Sequence, residues 1–257
     1  MKFRLLIILS VACLLLPPAA RGQYRLPVGF AGSDSLSLSE DLQAFAGQIG
    51  VHFGSVPGTV FPQNREYPRI QFYYQQDAAF TLPGGRYWAD KKDPITSTGV
   101  FTGMGDITGN LQVFLRYNAM VIDGKTAVLN GFGARYRTGV GTDSLHSVSV
   151  GFLTQKLAGG QIMRVNDLDF TLQYARYFIR WTARVDLSLS YVSGNLDLSR
   201  YPNLGEQESG EFNKRVGHLG IGITRTWGQF NTGAMLQTTG RIWNLFIEIG
   251  WELPSSY

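Results

Sequence analysis

The sequence predicts an all-β protein: an antiparallel up-and-down transmembrane β-barrel of about 10–12 strands. Three observations predict it. Apolar and polar residues alternate with period two in segment after segment, the chain opens on a secretory signal, and its one cysteine lies inside that signal. The clearest segment is the last. In Trp243–Leu253 the residues Trp243, Leu245, Ile247, Ile249, Trp251 and Leu253 alternate with Asn244, Glu248, Gly250 and Glu252. Successive strand side chains point to opposite faces, so one face of this ribbon is apolar and the other mostly polar.

The N-terminus places Lys2 and Arg4 before the apolar run Leu5–Leu16, followed by Ala20, Arg21 and Gly22. That arrangement is a signal peptide over residues 1–22, cut before Gln23. The run is too short to span a bilayer comfortably as a helix. Cys13 stands within it, not at its end, so a lipoprotein site there is not expected. The processed chain would then hold no cysteine, which excludes disulfides, thiol catalysis and Cys-metal sites. Lys2, Arg4 and Arg21 leave with the signal, so 23 basic residues fall to 20 against 19 acidic ones. Charge therefore implies no nucleic-acid partner. Mean hydropathy is near zero while aromatics make up 13%, as expected where half of each strand faces a lumen.

Residues 23–42 read as a polar, Ser-rich N-terminal segment, and 43–257 as the barrel. The first strand is expected from Phe45, with Ile49, Val51 and Phe53 opposite Gln48 and His52. Ile70, Phe72 and Tyr74 then alternate with Gln71, Tyr73 and Gln75. A strand over Ile107–Tyr117 sets Leu111, Val113 and Leu115 against Thr108, Asn110, Gln112 and Arg116. Further alternations start near Thr126, Val148, Leu168, Ala183, Leu219 and Thr232. Gln76–Gly103 is too long for a turn and leaves room for one or two more strands, for instance near Arg86–Ala89.

Loop lengths supply an independent check. With the C-terminus on the periplasmic side, alternate connections should be short. Phe178–Arg180 and Gly228–Asn231 are short, while Gly54–Pro68 and Gly194–Lys214 read as long exterior loops. This gathers Tyr177, Phe178, Trp181, Trp227, Phe230 and Trp251 near one rim as membrane-interface aromatics. The polar phase defines a lumen-lining set: Arg116, Asp169, Arg184, Asp186, Arg225 and Glu248, with Gln48, Gln71, Asn110, Gln112, Gln173 and Glu252 beside them. Inward charges of both signs are tolerated when paired or hydrated, so they either fill a narrow barrel or line a solute path. His52, His146 and His218 lack paired metal-ligand spacing, and no catalytic residues, metal or cofactor are expected.

On these patterns the chain resembles the outer-membrane β-barrel proteins of Gram-negative bacteria. Gly103-Met104-Gly105-Asp106-Ile107, leading toward Leu115-Arg116-Tyr117, is similar to the G-x-G-D stretch of transporters of the MetA phenol-degradation type, relatives of the fatty-acid channels. The same residues also read as a Gly-rich turn with Asp106 capping backbone amides. The resemblance implies an outer-membrane location, with lipid, the outer-membrane assembly machinery and a small solute as partners, and no nucleic acid. It implies passage or binding of a small solute, hydrophobic ones included, without catalysis. The alternatives are a structural or surface-interaction barrel using its long loops, and a lipid-modifying enzyme.

Overall fold

A computed structural model of the chain describes residues 23–24, 35–53, 68–81, 99–122, 125–140, 145–159, 163–199, 209–240 and 242–253. The elements are β1 (Gln23–Tyr24), α1 (Ser35–Phe53), β2 (Arg69–Thr81), β3 (Gly99–Asp106), β4 (Leu111–Ile122), β5 (Lys125–Val140), β6 (His146–Gly159), β7 (Met163–Tyr177), β8 (Trp181–Asp197), β9 (Ser209–Trp227), β10 (Phe230–Thr238) and β11 (Ile242–Glu252). Strands β2–β11 form a closed antiparallel barrel in which each strand pairs with its sequence neighbours. The ring closes where β11 pairs with β2, from Ile242↔Thr81 to Glu252↔Gln71. Closure gives each strand of the ring a neighbour on both sides, which a lipid environment requires because lipid offers no hydrogen bonds; β9 extends past its pairing with β10 at Ser209–His218. The two-residue β1 pairs in parallel with β4 at Val121 and Ile122.

Three tight turns share the rim at which β11 ends and β2 begins, here the C-terminal rim. In the first, Ile107 N donates to Leu111 O (2.9 Å), and Thr108 Oγ1 accepts from the amides of Asn110 (3.2 Å) and Leu111 (3.0 Å). The second spans 178–180, closed by Phe178 N to Trp181 O (2.7 Å). The third is Gly228-Gln229, where Gly228 has φ 65°, a left-handed conformation that glycine adopts without a Cβ clash.

These turns correct two expectations. Ile107–Asn110 is a turn and not the start of a strand, so β4 begins at Leu111. The preceding Gly99–Asp106 is itself a strand. Its outward positions include Gly103 and Gly105, which carry no side chain, so the apolar alternation that would reveal it is broken. The expected loop 194–214 also shrinks, because β8 runs to Asp197 and β9 starts at Ser209. Arg86–Ala89 and residues 54–67 lie outside the described residues.

The wall reverses the usual order of polarity. Leu115, Phe132, Val150, Leu172, Leu187, Ile221 and Ile247 stand exposed on the outside. Arg135, Gln173, Arg184 and Glu248 are buried inside. On β8 the outward apolar set runs from Trp181 to Tyr191. At about 3.3 Å per residue and a tilt of about 40°, this covers about 25 Å along the barrel axis, the height of an apolar membrane band.

Above that level the phase switches. Asn130, Lys156, Arg164, Asn166, Asn195, Glu211, Asn213 and Arg215 are exposed on the outside. The inward residues Leu129, Leu157, Val165, Val192, Leu196, Phe212 and Val216 are buried and apolar. On β5–β9 the barrel is thus apolar outside and polar inside along one stretch, then polar outside and apolar inside along the next.

Helix α1 fills the apolar stretch. Leu38, Leu42, Phe45, Ala46 and Ile49 are buried and form one cluster with Leu129, Leu157, Val165, Val192, Leu196, Phe212 and Val216. The strand expected from Phe45 to Phe53 is therefore a helix. Its apolar residues recur at intervals of three and four, and Phe45 and Ile49, four apart, fit either period. Phe45 meets Phe212 edge-on, with centroids 5.9 Å apart. At Gly50 the helix lies close against the wall: a Cβ there would sit 2.8 Å from Val192 Cγ2.

Candidate functional site

Below α1 the lumen is crossed by a belt of buried ionic and amide groups that passes from strand to strand. It starts at the seam. Arg69 of β2 donates Nε to Glu252 Oε1 of β11 (2.9 Å), and its Nη2 bonds the second carboxylate oxygen. Arg69 Nη1 lies 3.5 Å from Asp106 Oδ2 on β3. Asp106 Oδ1 accepts from Gln112 Nε2 of β4 (2.7 Å) and from Arg137 Nη2 of β5 (3.0 Å). Asp106 is thus the anion shared by two arginines, and it does not cap backbone amides as the turn reading would have it.

The belt continues across the barrel. Arg135 Nη2 donates to Gln112 Oε1 (2.6 Å) and Arg135 Nη1 to Gln173 Oε1 of β7 (3.0 Å). Gln173 Nε2 donates to Asp186 Oδ1 of β8 (2.8 Å). Arg184 stands between Asp186 (3.6 Å) and Glu248 of β11 (3.5 Å). Glu248 Oε1 also accepts from Thr224 Oγ1 of β9 (2.8 Å). The path begins and ends on β11, at Glu252 and Glu248. Buried charges are costly unless paired and hydrogen-bonded, and here each charge faces an opposite one or an amide. A cavity of about 20 Å³ bordered by Arg135, Gln173 and Asp186 has room for about one water molecule.

A second cluster lies between the belt and α1. Arg116 Nη1 donates to Gln155 Oε1 (2.9 Å), and Gln155 Nε2 reaches Asp167 (3.2 Å) and Asp169 (3.4 Å). Ser190 Oγ bonds Asp169 and lies 2.8 Å from His218 Nε2. The order is Asp–Ser–His, with serine in the middle. Among the described residues His218 Nδ1 has no hydrogen-bond partner. A nucleophilic triad needs the histidine in the middle, oriented by a carboxylate on its other nitrogen, so this cluster lacks that geometry. His52 of α1 bonds Asp77 of β2, and Asn244 Nδ2 of β11 donates to the same carboxylate oxygen (2.9 Å). No group of three or more His, Asp or Glu suited to a metal ion occurs among the described residues.

The structure places Arg116, Asp169, Arg184, Asp186 and Glu248 inside the barrel, all buried. Arg225 is a correction. It shares the phase of Leu219, Ile221 and Ile223, so it faces outward, against Trp181 and Trp227. Asn110 sits in the first turn and donates to Arg137 O (2.8 Å), away from the lumen. The Gln48 side chain lies outside the described residues.

Of the rim aromatics, Phe178, Trp181 and Trp227 are exposed, and Phe230 and Trp251 half-buried. Tyr177 instead points inward and is buried, with its hydroxyl 2.9 Å from Ser147 Oγ. Its place in β7, in phase with Gln173 and Ala175, already assigns it to the inner face. Sequence reasoning missed Arg69, Asp106, Arg135 and Arg137, the cationic and anionic core of the belt. The signal for the arginines is their alternation with outward Ile70, Ala134 and Tyr136.

No protein-family model matches the chain, and no curated protein is significantly similar to it. Solved structures with a similar fold include outer-membrane β-barrels. The KdgM porin in complex with oligogalacturonate is 9% identical, over 72% of this chain and 99% of that one, with a TM-score of 0.38. The translocator domain of autotransporter NalP from Neisseria meningitidis is 12% identical over 86% and 98%, at 0.37. The attachment invasion locus protein Ail of Yersinia pestis is 11% identical over 72% and 97%, at 0.32. Superposition is poor in every case, so these likenesses decide nothing about activity.

Proposed function

We propose that this chain is an outer-membrane barrel that stays closed, does no chemistry, and carries a helix-filled rim beyond the membrane surface as its working surface. The observation that carries the reading is the change of phase on β5–β9. Where the outside is apolar, the lumen is crossed by the Arg–carboxylate–amide belt. Where the outside turns polar, α1 fills the lumen with Leu42, Phe45, Ala46 and Ile49. A barrel filled at both levels supports a structural or surface-interaction role over a standing pore. With the C-terminal rim in the periplasm, the polar outer faces of β7–β9 project outside the cell.

The test is planar-bilayer conductance of the full chain beside Ala46→Glu, which forces a carboxylate into the dry helix–wall contact. A closed barrel gives no steady current as wild type. A wild-type current of stable amplitude overturns the closed reading.

A second reading, gated passage of a small solute, is favoured by the charged lining below α1. It calls for a polar rather than a hydrophobic solute, and for displacement of α1. Under it, Ala46→Glu conducts while wild type does not. Solute uptake by liposomes carrying the variant would identify the class.

A further inference from the structure

We infer that the outer face of the C-terminal rim holds a binding site for the phosphate of an anionic glycerophospholipid, built on Arg225. The site rests on the membrane reading above, which puts this rim at the periplasmic leaflet.

Arg225 is flanked by aromatic rings. Its guanidinium carbon is 3.7 Å from the Trp227 ring centroid and 4.7 Å from that of Trp181. Both tryptophans are exposed on the outside of the barrel. Trp227 is held in place by its Nε1, which donates to Thr232 Oγ1 (3.2 Å). Trp181 lies directly across from Arg225 in the β8–β9 register. Arg225 Nε is shielded and has no hydrogen-bond partner among the described residues.

The neighbours add like charge. Arg176 stands over the Phe178 ring at 5.2 Å. Thr226 N donates to Arg180 O (3.0 Å), which ties the 178–180 turn beside β9. Among the described residues no Asp or Glu faces outward at this rim: Asp106, Asp186, Glu248 and Glu252 are all buried inside.

Among the described residues these arginines meet no external carboxylate, which leaves them free to pair with an anion from outside the chain. Aromatic faces hold a guanidinium through its π surface and leave its edge donors available. Those donors form a planar fork that matches a phosphate with two parallel hydrogen bonds. Tryptophans mark headgroup depth, and the anion found at that depth is the lipid phosphate. Zwitterionic headgroups bring their own cation to an already cationic rim, so a net-anionic lipid fits better. The opposite rim differs, because there Lys156, Arg164 and Arg215 share the outer face with exposed Glu211.

The experiment is native mass spectrometry of the full chain in detergent, offered phosphatidylglycerol and phosphatidylcholine in equal amounts. Wild type should retain phosphatidylglycerol about tenfold over phosphatidylcholine, in line with one like-charge contact of about 1–2 kcal/mol between the choline ammonium and the cationic rim. Arg225→Gln should lose most of that preference, and Arg164→Gln at the far rim should keep it. The site is overturned by a wild type without preference, by an Arg225→Gln variant that keeps it, or by an equal loss in Arg164→Gln. Heat-modifiable migration is read on the same samples. A protein that neither partitions into detergent nor shifts on heating overturns the membrane reading, whereas a folded, detergent-bound barrel without lipid preference overturns the site alone.

Discussion

Phe45 of α1 stands edge-on to Phe212 of β9, with ring planes at 88°. Both side chains are almost fully buried, so the helix is docked by its apolar face and not laid loosely across the opening. Truncating either ring removes apolar area and leaves a cavity, which costs about 3–5 kcal/mol. Phe45→Ala is therefore expected to speed hydrogen exchange of the α1 amides while strands β2–β11 keep their protection. Unchanged α1 exchange would show that the helix is held by something other than this packing.

The close approach at Gly50 predicts a second effect on the same element. A methyl group added there would stand 2.8 Å from Val192 Cγ2 and 3.3 Å from Val216 Cγ2. Overpacking of this kind costs about 1–3 kcal/mol. Gly50→Val should loosen α1 to a degree that Val192→Ala in the same chain partly reverses. A double-mutant cycle on hydrogen exchange measures this coupling.

The phase change on β8 and β9 predicts where lipid ends. A single cysteine at Leu187 should resist a membrane-impermeant thiol reagent in whole cells. Cysteines at Asn195 and Asn213 should react, since these positions are exposed and lie above the apolar band. In the same frame, Leu187→Arg should cost about 2–4 kcal/mol of barrel stability and Asn213→Arg close to nothing. Equal labelling at all three positions would remove the projecting rim.

The seam pair predicts an asymmetry between breaking and replacing a buried ion pair. Glu252→Gln leaves Arg69 with Asp106 as its remaining anion, so the cost should fall below the ~3–5 kcal/mol of a fully uncompensated buried charge. The temperature at which the folded band disappears in heat-modifiable migration should drop. Arg69→Met combined with Glu252→Leu should recover part of the loss, although Asp106 then loses one of its two arginines.

The second half of the barrel is legible in the sequence because its outward positions are filled by large apolar residues in unbroken runs, such as Leu168 to Tyr174 and Ala183 to Tyr191. β3 is not, because Gly103 and Gly105 empty two of its outward positions. α1 was hidden by a coincidence of spacing: an interval of four, as between Phe45 and Ile49, suits a strand and a helix alike. The earlier Leu38 and Leu42 make the helix visible, but they lie in a stretch whose serines draw attention to its polarity. The inward site residues follow from strand phase wherever that phase is kept. Arg225 and Tyr177 show the rule from its other side. Charge alone suggests the lumen for Arg225 and a ring alone suggests the outer rim for Tyr177, while position along the strand assigns each to the opposite face. The apolar inner positions Val165, Val192 and Val216 announce a filler for that end of the lumen, since such residues would have no reason to face a water-filled channel.

Arg69 and Glu252 belong to the first and the last strands of the ring, 183 positions apart in sequence. They meet only at the pairing of β11 with β2, the contact that closes the ring. Until then the arginine and the carboxylate each sit on a bare sheet edge, open to water or to an escort. Their union therefore marks closure of the ring, when the edge of β2 is paired with the edge of β11. A chain cut before β11 would lack that pairing, with the edge of β2 still open to a neighbour.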